Sequence, residues 1–427
     1  MNSAQLLAVT VADVAAVLIM GAILIPPLRR LRQPQVIAEI IAGIVLGPSV
    51  LGLLPGHLTT RLFPLAARPD LSAIAEVGIL LFMFLVGWEM DVGHIRQRGG
   101  TVLGISLSSI ALPFGTGVAL AYWLYRDHAV VGHHHVGRPA FVLFVGTAMA
   151  ITAFPVLARI ILDHRMQMTQ PGMLSLASAA VGDVLAWCML AGVSVIAVSS
   201  GQAQLWRLLG FTALYVAVMW LVIRPALAYL IRRTSPDDLP SPQLPAVIVA
   251  GVFIAGYLTN EIGLDAIFGA FSFGLIMPRS SAKLLESRIK VPLEHVTALL
   301  MPIFFVTTGL TVDVTELGSS GILELLAIVA VACLGKLGGA TAAARLSGLN
   351  WTDSATVGVL MNTRGLTELI ILNVGVTMGV LDTRMFTMMV LMALVTTAMA
   401  GPILPRRTYA RLDGQYTTDS SLEPATT

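Results

Sequence analysis

Apolar runs of about 20 residues recur along the chain, separated by short breaks that contain polar residues, proline or glycine. A run of that length wound as a helix crosses ~30 Å of hydrocarbon, whereas the strands of an outer-membrane barrel are ~10-residue alternating segments. Hydrocarbon offers a backbone polar group no water, so a spanning segment must satisfy its own N–H and C=O groups, as a helix does. Composition agrees. Of the 427 residues 56% are hydrophobic and 12% charged, and the mean hydropathy is +0.84, far from the make-up of a soluble domain. The expected fold class is an all-α integral membrane protein in a lipid bilayer.

The breaks divide the chain into thirteen expected spans, near 6–28, 33–53, 71–90, 101–125, 139–162, 172–198, 205–231, 245–260, 263–278, 292–311, 320–345, 353–379 and 384–405. The first run has no Lys or Arg before it, and Arg29, Arg30 and Arg32 follow it. That is the reverse of a secretory signal peptide, so the run reads as a retained helix with its N-terminus outside. Carried through thirteen spans, this orientation puts most of the twenty-six Lys and Arg residues on the cytoplasmic side, among them Arg159, Arg165, Arg232, Arg233, Arg288 and Lys290. Such a bias is what the positive-inside rule requires. The expected location is the plasma membrane, with residues 406–427 as a short polar cytoplasmic tail. A net charge of +2 gives no basic field for nucleic acid, and Cys188 and Cys333 lie within apolar runs without implying a disulfide.

Phe82, Gly87, Asp91 and Val92 at the end of the third span share their spacing with Phe304, Gly309, Asp313 and Val314 at the end of the tenth. An offset of seven helices is odd, so the copies run in opposite directions. The bundle of residues 1–405 is then expected to hold two inverted repeats, about 6–198 and 245–405, joined by a linker helix at 205–231, as in many secondary transporters.

A charge near the bilayer centre is costly, so each intramembrane ionisable group is a functional candidate. Asp183 sits near the middle of the sixth span in "SAAVGDVLAWCMLA", Lys336 in the eleventh in "CLGKLGGA", and Arg364 with Glu368 in the twelfth in "MNTRGLTELI". Arg364 and Glu368 are four apart on one helix face, a spacing that also suits a purely structural ion pair. A dehydrated cation needs oxygen ligands, which broken helices supply through freed carbonyls. In "GTAMAITAFPVLARI", Pro155 has no N–H to give the carbonyl of Ile151, which frees carbonyls around Ile151 to Ala153 beside the Thr152 hydroxyl. The offset of seven pairs this helix with the twelfth, whose own break candidates are Asn362, Thr363 and Gly365. Glu39, in the cytoplasmic third of the second span, suits either an inward pathway or a pair with a basic loop residue. Asp13, Glu76 and Glu324 lie nearer span ends and are expected to reach the interface or another helix. His133 to His135 read as a solvated outer loop.

Together these residues resemble a known family, the second family of monovalent cation:proton antiporters. The resemblance runs from about Gln33 to Val376 through "QPQVIAEIIAGIVLGPSVLG", "EVGILLFMFLVGWEMD", "ITAFPVLARIIL", "AAVGDVLAW", "MPIFFVTTGLTVD" and "NTRGLTELIILN". It implies a core domain with two crossed, unwound helices, a separate dimerisation domain that pairs two copies as a homodimer, and transport by movement of one domain against the other. It further implies that Asp183 binds the cation or the proton, that Thr152 and Ala153 belong to the unwound stretch, that Lys336 faces the site, and that Glu39 is an acidic entry position. Asn362, Thr363, Arg364 and Glu368 would tune the site. One position departs from the family: the residue before the aspartate, commonly Asp, Asn or Gln, is Gly182, which puts the stoichiometry and the usual pairing of Lys336 in doubt. The implied activity is exchange of Na⁺ or K⁺ for H⁺, by a transporter rather than an enzyme, and with no cofactor. The alternative of a potassium efflux channel lacks support, because no carbonyl filter of the "TVGYG" kind appears in the sequence, and an organic-solute symporter on a similar fold stays open.

Overall fold

The structure, a computed structural model, describes residues 3–31, 33–53, 59, 62–89, 98–132, 134–198, 203–233, 243–278, 286–310 and 321–404. Asp91, Val92, Asp313 and Val314 of the internal echo, His133 and the tail 406–427 lie outside the described residues. The helices in chain order are α1 (Ser3–Arg30), α2 (Gln35–Leu46), α3 (Arg68–Glu89), α4 (Gly99–Leu124), α5a (Arg138–Ala150), α5b (Phe154–Asp163) and α6 (Gln170–Val198). Next comes α7, which runs Ala203–Val218 through a π turn into Arg224–Arg233, and then α8 (Leu244–Ile262), α9 (Ala266–Leu275), α10 (Val291–Leu310), α11 (Gly321–Leu346), α12a (Trp351–Met361), α12b (Leu366–Thr377) and α13 (Thr383–Ala398).

Eleven helices among the described residues are long and apolar enough to cross a membrane. Two of the thirteen expected spans differ from that description. The span at 263–278 is the ten-residue α9, because Gly263 in the left-handed region ends α8 and the Asp265 side chain caps α9 by accepting from the Ile267 N–H. A helix of that length covers only ~15 Å. The span at 353–379 is two short helices separated by a break at Asn362–Gly365. His134 and His135, expected in a solvated loop, form a strand that pairs antiparallel with Val130–Val131. Both cysteines are free.

The helices pack as two sets. In one, α3 lies against α9 and α10, α10 against α2, α1 against α2, and α8 against α9. In the other, α4 lies against α5a, α6 and α11, α11 against α12a and α13, and α6 against α12a. The sets meet where α2 and α3 touch α5b. Exchanging each helix with the one seven places on turns α3–α9 into α10–α2, α4–α5a into α11–α12a and α1–α2 into α8–α9, so these contacts map onto one another.

Glycines set the closest crossings. A Cβ on Gly43 would lie 2.2 Å from the Val306 carbonyl oxygen, and one on Gly309 would lie 2.2 Å from that of Ile40. The equivalent crossing of α3 and α9 has Gly87 against the Phe271 carbonyl and Gly274 against that of Phe84, again at 2.2 Å. Small residues at such points let backbones approach, which is how helices gain packing contacts in a lipid solvent. Gly87 and Gly309 are the two glycines of the internal echo.

Candidate functional site

Two broken helices cross in the second set. In the first, α5a ends at Ala150, Ile151 turns extended (φ −75°, ψ 144°), and α5b restarts at Phe154 with Pro155 in its first turn. Proline needs no donor there and its fixed φ suits a helix start, which is why the break falls where it does. In the second, α12a ends at Met361 and α12b restarts after Gly365. The extended stretches bind each other: the Ala153 N–H donates to the Thr363 carbonyl at 3.1 Å, and the Thr152 hydroxyl donates to the Met361 carbonyl at 3.0 Å. At the crossing a Cβ on Gly365 would sit 2.5 Å from Val156 Cγ2, so a side chain at residue 365 would run into Val156.

A helix that stops in mid-membrane presents unsatisfied carbonyls and the negative end of its dipole. Two cations, both under 2% exposed, occupy that end of α5a. Lys336 Nζ donates to the Ala150 carbonyl and, at 2.7 Å, to Thr152 Oγ1. The Arg364 guanidinium donates to the carbonyls of Ala148 and Met149 and forms a fully buried ion pair with Glu368 at 3.2 Å. Its backbone is held as well: the Arg364 N–H donates to Thr397 Oγ1 and the Thr397 hydroxyl donates to the Arg364 carbonyl, each at 2.7 Å. Asn362 Nδ2 faces Cys333 Sγ, and the Thr363 hydroxyl donates to the Leu360 carbonyl.

Asp183 is 2% exposed, and its Oδ1 has no hydrogen-bond partner among the described residues. Its helix packs against α5a, α5b and α12a. Leu174, Ala177 and Ala179, before it, share a core cluster with Phe154 and Leu157 of α5b, whereas Ala186 and Leu190, after it, share another with Ala148 and Met149 of α5a. Asp183 therefore lies at the level of the break. Among the described residues no ion pair joins it to Lys336, whose ammonium is turned to the α5a carbonyls instead. Gly182 faces α4, with Ser106 Oγ 3.7 Å from the position a Cβ would take.

Glu39 is fully buried on α2, with Gln35 Nε2 donating to its Oε1 at 2.9 Å. It stands away from the crossing, toward the Arg159–Asp163 pair (3.1 Å) on α5b. At the opposite end of the bundle, a cavity of about 320 Å³ is bounded by Ser72 and Glu76 of α3, Asp265, Thr307 and Thr308 of α10, and Leu369 and Asn373 of α12b. Sequence reasoning passed over Asp265, although an Asp immediately ahead of an apolar helix is a capping signal. It also passed over Thr397, which nothing local distinguishes.

The sodium/hydrogen exchanger transmembrane family matches residues 15–407. Cation/H(+) antiporter 15 of Arabidopsis thaliana is 39% identical over 380 residues, which cover 88% of this chain and 45% of that protein. Na(+)/H(+) antiporter NhaS4 of Synechocystis is 38% identical over 377 residues, covering 88% of this chain and 91% of that one. The chain thus spans about half the length of the Arabidopsis relatives and most of the Synechocystis one. A solved structure of the sodium proton antiporter MjNhaP1 from Methanocaldococcus jannaschii shares the fold, with a TM-score of 0.66 at 14% identity over 100% of both chains. With a family match that runs from the first helix to the last and a relative aligned along nearly all of its length, this multi-pass membrane chain belongs to the sodium/hydrogen exchanger family of monovalent cation:proton antiporters.

Proposed function

We propose that the chain is a secondary antiporter that exchanges a monovalent cation, Na⁺ or K⁺, for protons at Asp183. The observation that carries this reading is a buried carboxylate at the level of two crossed helix breaks whose own cations are already engaged. Lys336 and Arg364 neutralise the end of α5a, and Glu368 is held by Arg364. Asp183 is left without a fixed counter-charge in a medium where an isolated ionised carboxylate is untenable. A proton neutralises it, and so does a bound cation, but the two exclude each other. That competition couples the fluxes.

The cavity bounded by Glu76 and Asp265 is the outer vestibule in this reading, with the N-terminus outside and the C-terminus in the cytoplasm of a plasma-membrane protein. The set containing α4, α5a, α6 and α11 moves against the set containing α2, α3 and α10, and the site crosses the membrane neutral in either loaded state. The set containing α1, α2, α3 and α10 is also the surface on which two copies pair as a homodimer. Thr152 and Ala153 contribute oxygens of the unwound stretch, while Asn362, Thr363 and Lys336 set their geometry. With Gly182 in place of a second titratable group, one proton is exchanged per cation.

Purified protein in liposomes, given an imposed pH gradient and offered Li⁺, Na⁺, K⁺ or Rb⁺ in turn, tests the reading. Cation-dependent proton release is expected from the wild type and none from Asp183→Asn, which keeps the shape but can neither release a proton nor balance a cation. Undiminished exchange by a folded Asp183→Asn protein would overturn the assignment.

A further inference from the structure

The segment after α4 buries a histidine that the exchange site does not use. His128 is 1% exposed. Its Nδ1 contacts Asp382 Oδ2, its Nε2 lies 3.0 Å from Glu324 Oε2, and its ring stacks on Phe141 at 9° with centroids 6.4 Å apart. Ionised carboxylates only accept, so both contacts are hydrogen bonds only when both ring nitrogens carry hydrogen, and only the imidazolium has that form. Glu324 accepts a second bond from Arg384 at 2.9 Å, and Asp382 caps α13 by accepting from the Met385 N–H. On the side of α5a, Arg138 lies over the Tyr125 ring at 5.2 Å, and the Tyr125 hydroxyl donates to the Val136 carbonyl. The cluster is neutral with His128 protonated, since two carboxylates face one imidazolium and one guanidinium. Losing the proton leaves a net negative charge in a buried place.

Its position gives it leverage. His128 lies in the first half of the chain and its three charged neighbours lie in the second, so the cluster ties the two halves together at the vestibule end. Glu324 is on α11, twelve residues before Lys336 and ~18 Å from it along one continuous helix. Asp382 follows α12b, whose other end adjoins Arg364.

We propose that His128, Glu324, Asp382 and Arg384 form a proton-binding latch, separate from the exchange site, that reports the pH of the outer compartment. The latch is closed when His128 is protonated and released as the outer pH rises. Burial alone would pull His128 down, but the hydrogen bonds and charges of Asp382 and Glu324 outweigh it and hold the imidazolium above the ordinary histidine range. A group with a raised value contributes fully below its ordinary ~6.5, and its contribution is lost as pH rises through the raised value. Since the closed latch accompanies the vestibule described above, it holds the protein in that conformation and slows turnover in acid. This regulatory role rests on the antiporter reading.

The test separates maximal rate from affinity. In oriented proteoliposomes, competition at Asp183 changes the apparent KM for the cation with outer pH, whereas the latch changes Vmax. For the wild type, Vmax is expected to fall as outer pH is lowered. His128→Gln should abolish that fall while keeping the pH dependence of KM. Should His128→Gln fail to fold, two further variants carry the test: Glu324→Gln should move the Vmax midpoint about one unit to lower pH, and Arg384→Gln should move it to higher pH. Independently of transport, ¹⁵N-histidine NMR should show the His128 resonance titrating above the ordinary range. An acid fall of Vmax retained in His128→Gln, shifts of the same sign in the other two variants, or a resonance that titrates at or below ~6.5 would overturn the latch. Absence of wild-type exchange would sink the antiporter reading and the regulatory role with it, while the NMR arm still decides whether the buried imidazolium exists.

Discussion

Arg364 is the residue whose removal the structure prices most clearly. Its guanidinium is buried between the carbonyls of Ala148 and Met149 and the Glu368 carboxylate. Arg364→Met keeps the length of the side chain but leaves Glu368 as an uncompensated buried charge, a one-sided break that typically costs ~3–5 kcal/mol. Adding Glu368→Gln removes that charge and leaves mainly the two carbonyls without their donor, at ~1–3 kcal/mol. The double variant is therefore expected to be more stable than Arg364→Met by about 2 kcal/mol, with a coupling energy well above the few tenths expected of independent sites. Glu368→Gln alone leaves the guanidinium as the uncompensated charge, but it should cost less than Arg364→Met because the guanidinium keeps its two carbonyls. Unfolding free energies for the four proteins in one detergent provide the cycle. Strict additivity, or an Arg364→Met protein as stable as the wild type, would refute the argument that Arg364 is held by a buried ion pair and a helix end together.

Thr152→Ala should raise the apparent KM for the cation by about tenfold, or ~1.4 kcal/mol, with Vmax little changed; Lys336 loses the hydroxyl that holds it at 2.7 Å, and an unchanged KM for every cation would show that the break is only structural. Gly365→Ala should destabilise the crossing by ~1–3 kcal/mol, and Val156→Ala in the same chain should recover most of the loss, because the clash is with Val156 Cγ2; a thermal melt in which the second change gives no recovery would count against it. For stoichiometry, a membrane potential imposed without a pH or Na⁺ gradient should drive no ²²Na⁺ accumulation. Accumulation with opposing proton flux, lost in Lys336→Gln, would make Lys336 a second carrier.

The helices and the first break were legible because their causes are local. Run length reports a span, and Pro155 forces a vacancy in the hydrogen-bond ladder wherever it falls. The offset of seven then pointed to the second break without any proline to mark it. What the sequence did not show is where long polar side chains end. Lys336 and Arg364 reach carbonyls 186 and 216 positions earlier in the chain, and His128 meets Asp382 across 254 positions. Those meetings depend on how two inverted halves interlock, and no short window of residues encodes it. Glu324, expected to reach the interface or another helix, accepts from Arg384 on α13, and only the structure shows that it meets His128 as well. Likewise, the shortness of α9 follows from a turn at Gly263 that hydropathy averages away.

The exchange of each helix with the one seven places on has a consequence for the other face of the molecule. The cavity that the antiporter reading makes the outer vestibule is walled by α3, α9, α10 and α12b; the same exchange converts these into α10, α2, α3 and α5b. At that corner Glu39 now lies buried with Gln35, and Arg159 pairs with Asp163. If the two halves trade conformations, this closed corner becomes the open one, and Glu39 and Asp163 take the positions of lining acids that Glu76 and Asp265 hold in the present vestibule. In that case one topology contains two packings, the second reached from the first by the exchange. Their difference in free energy would then come from where the side chains of the two halves are unlike.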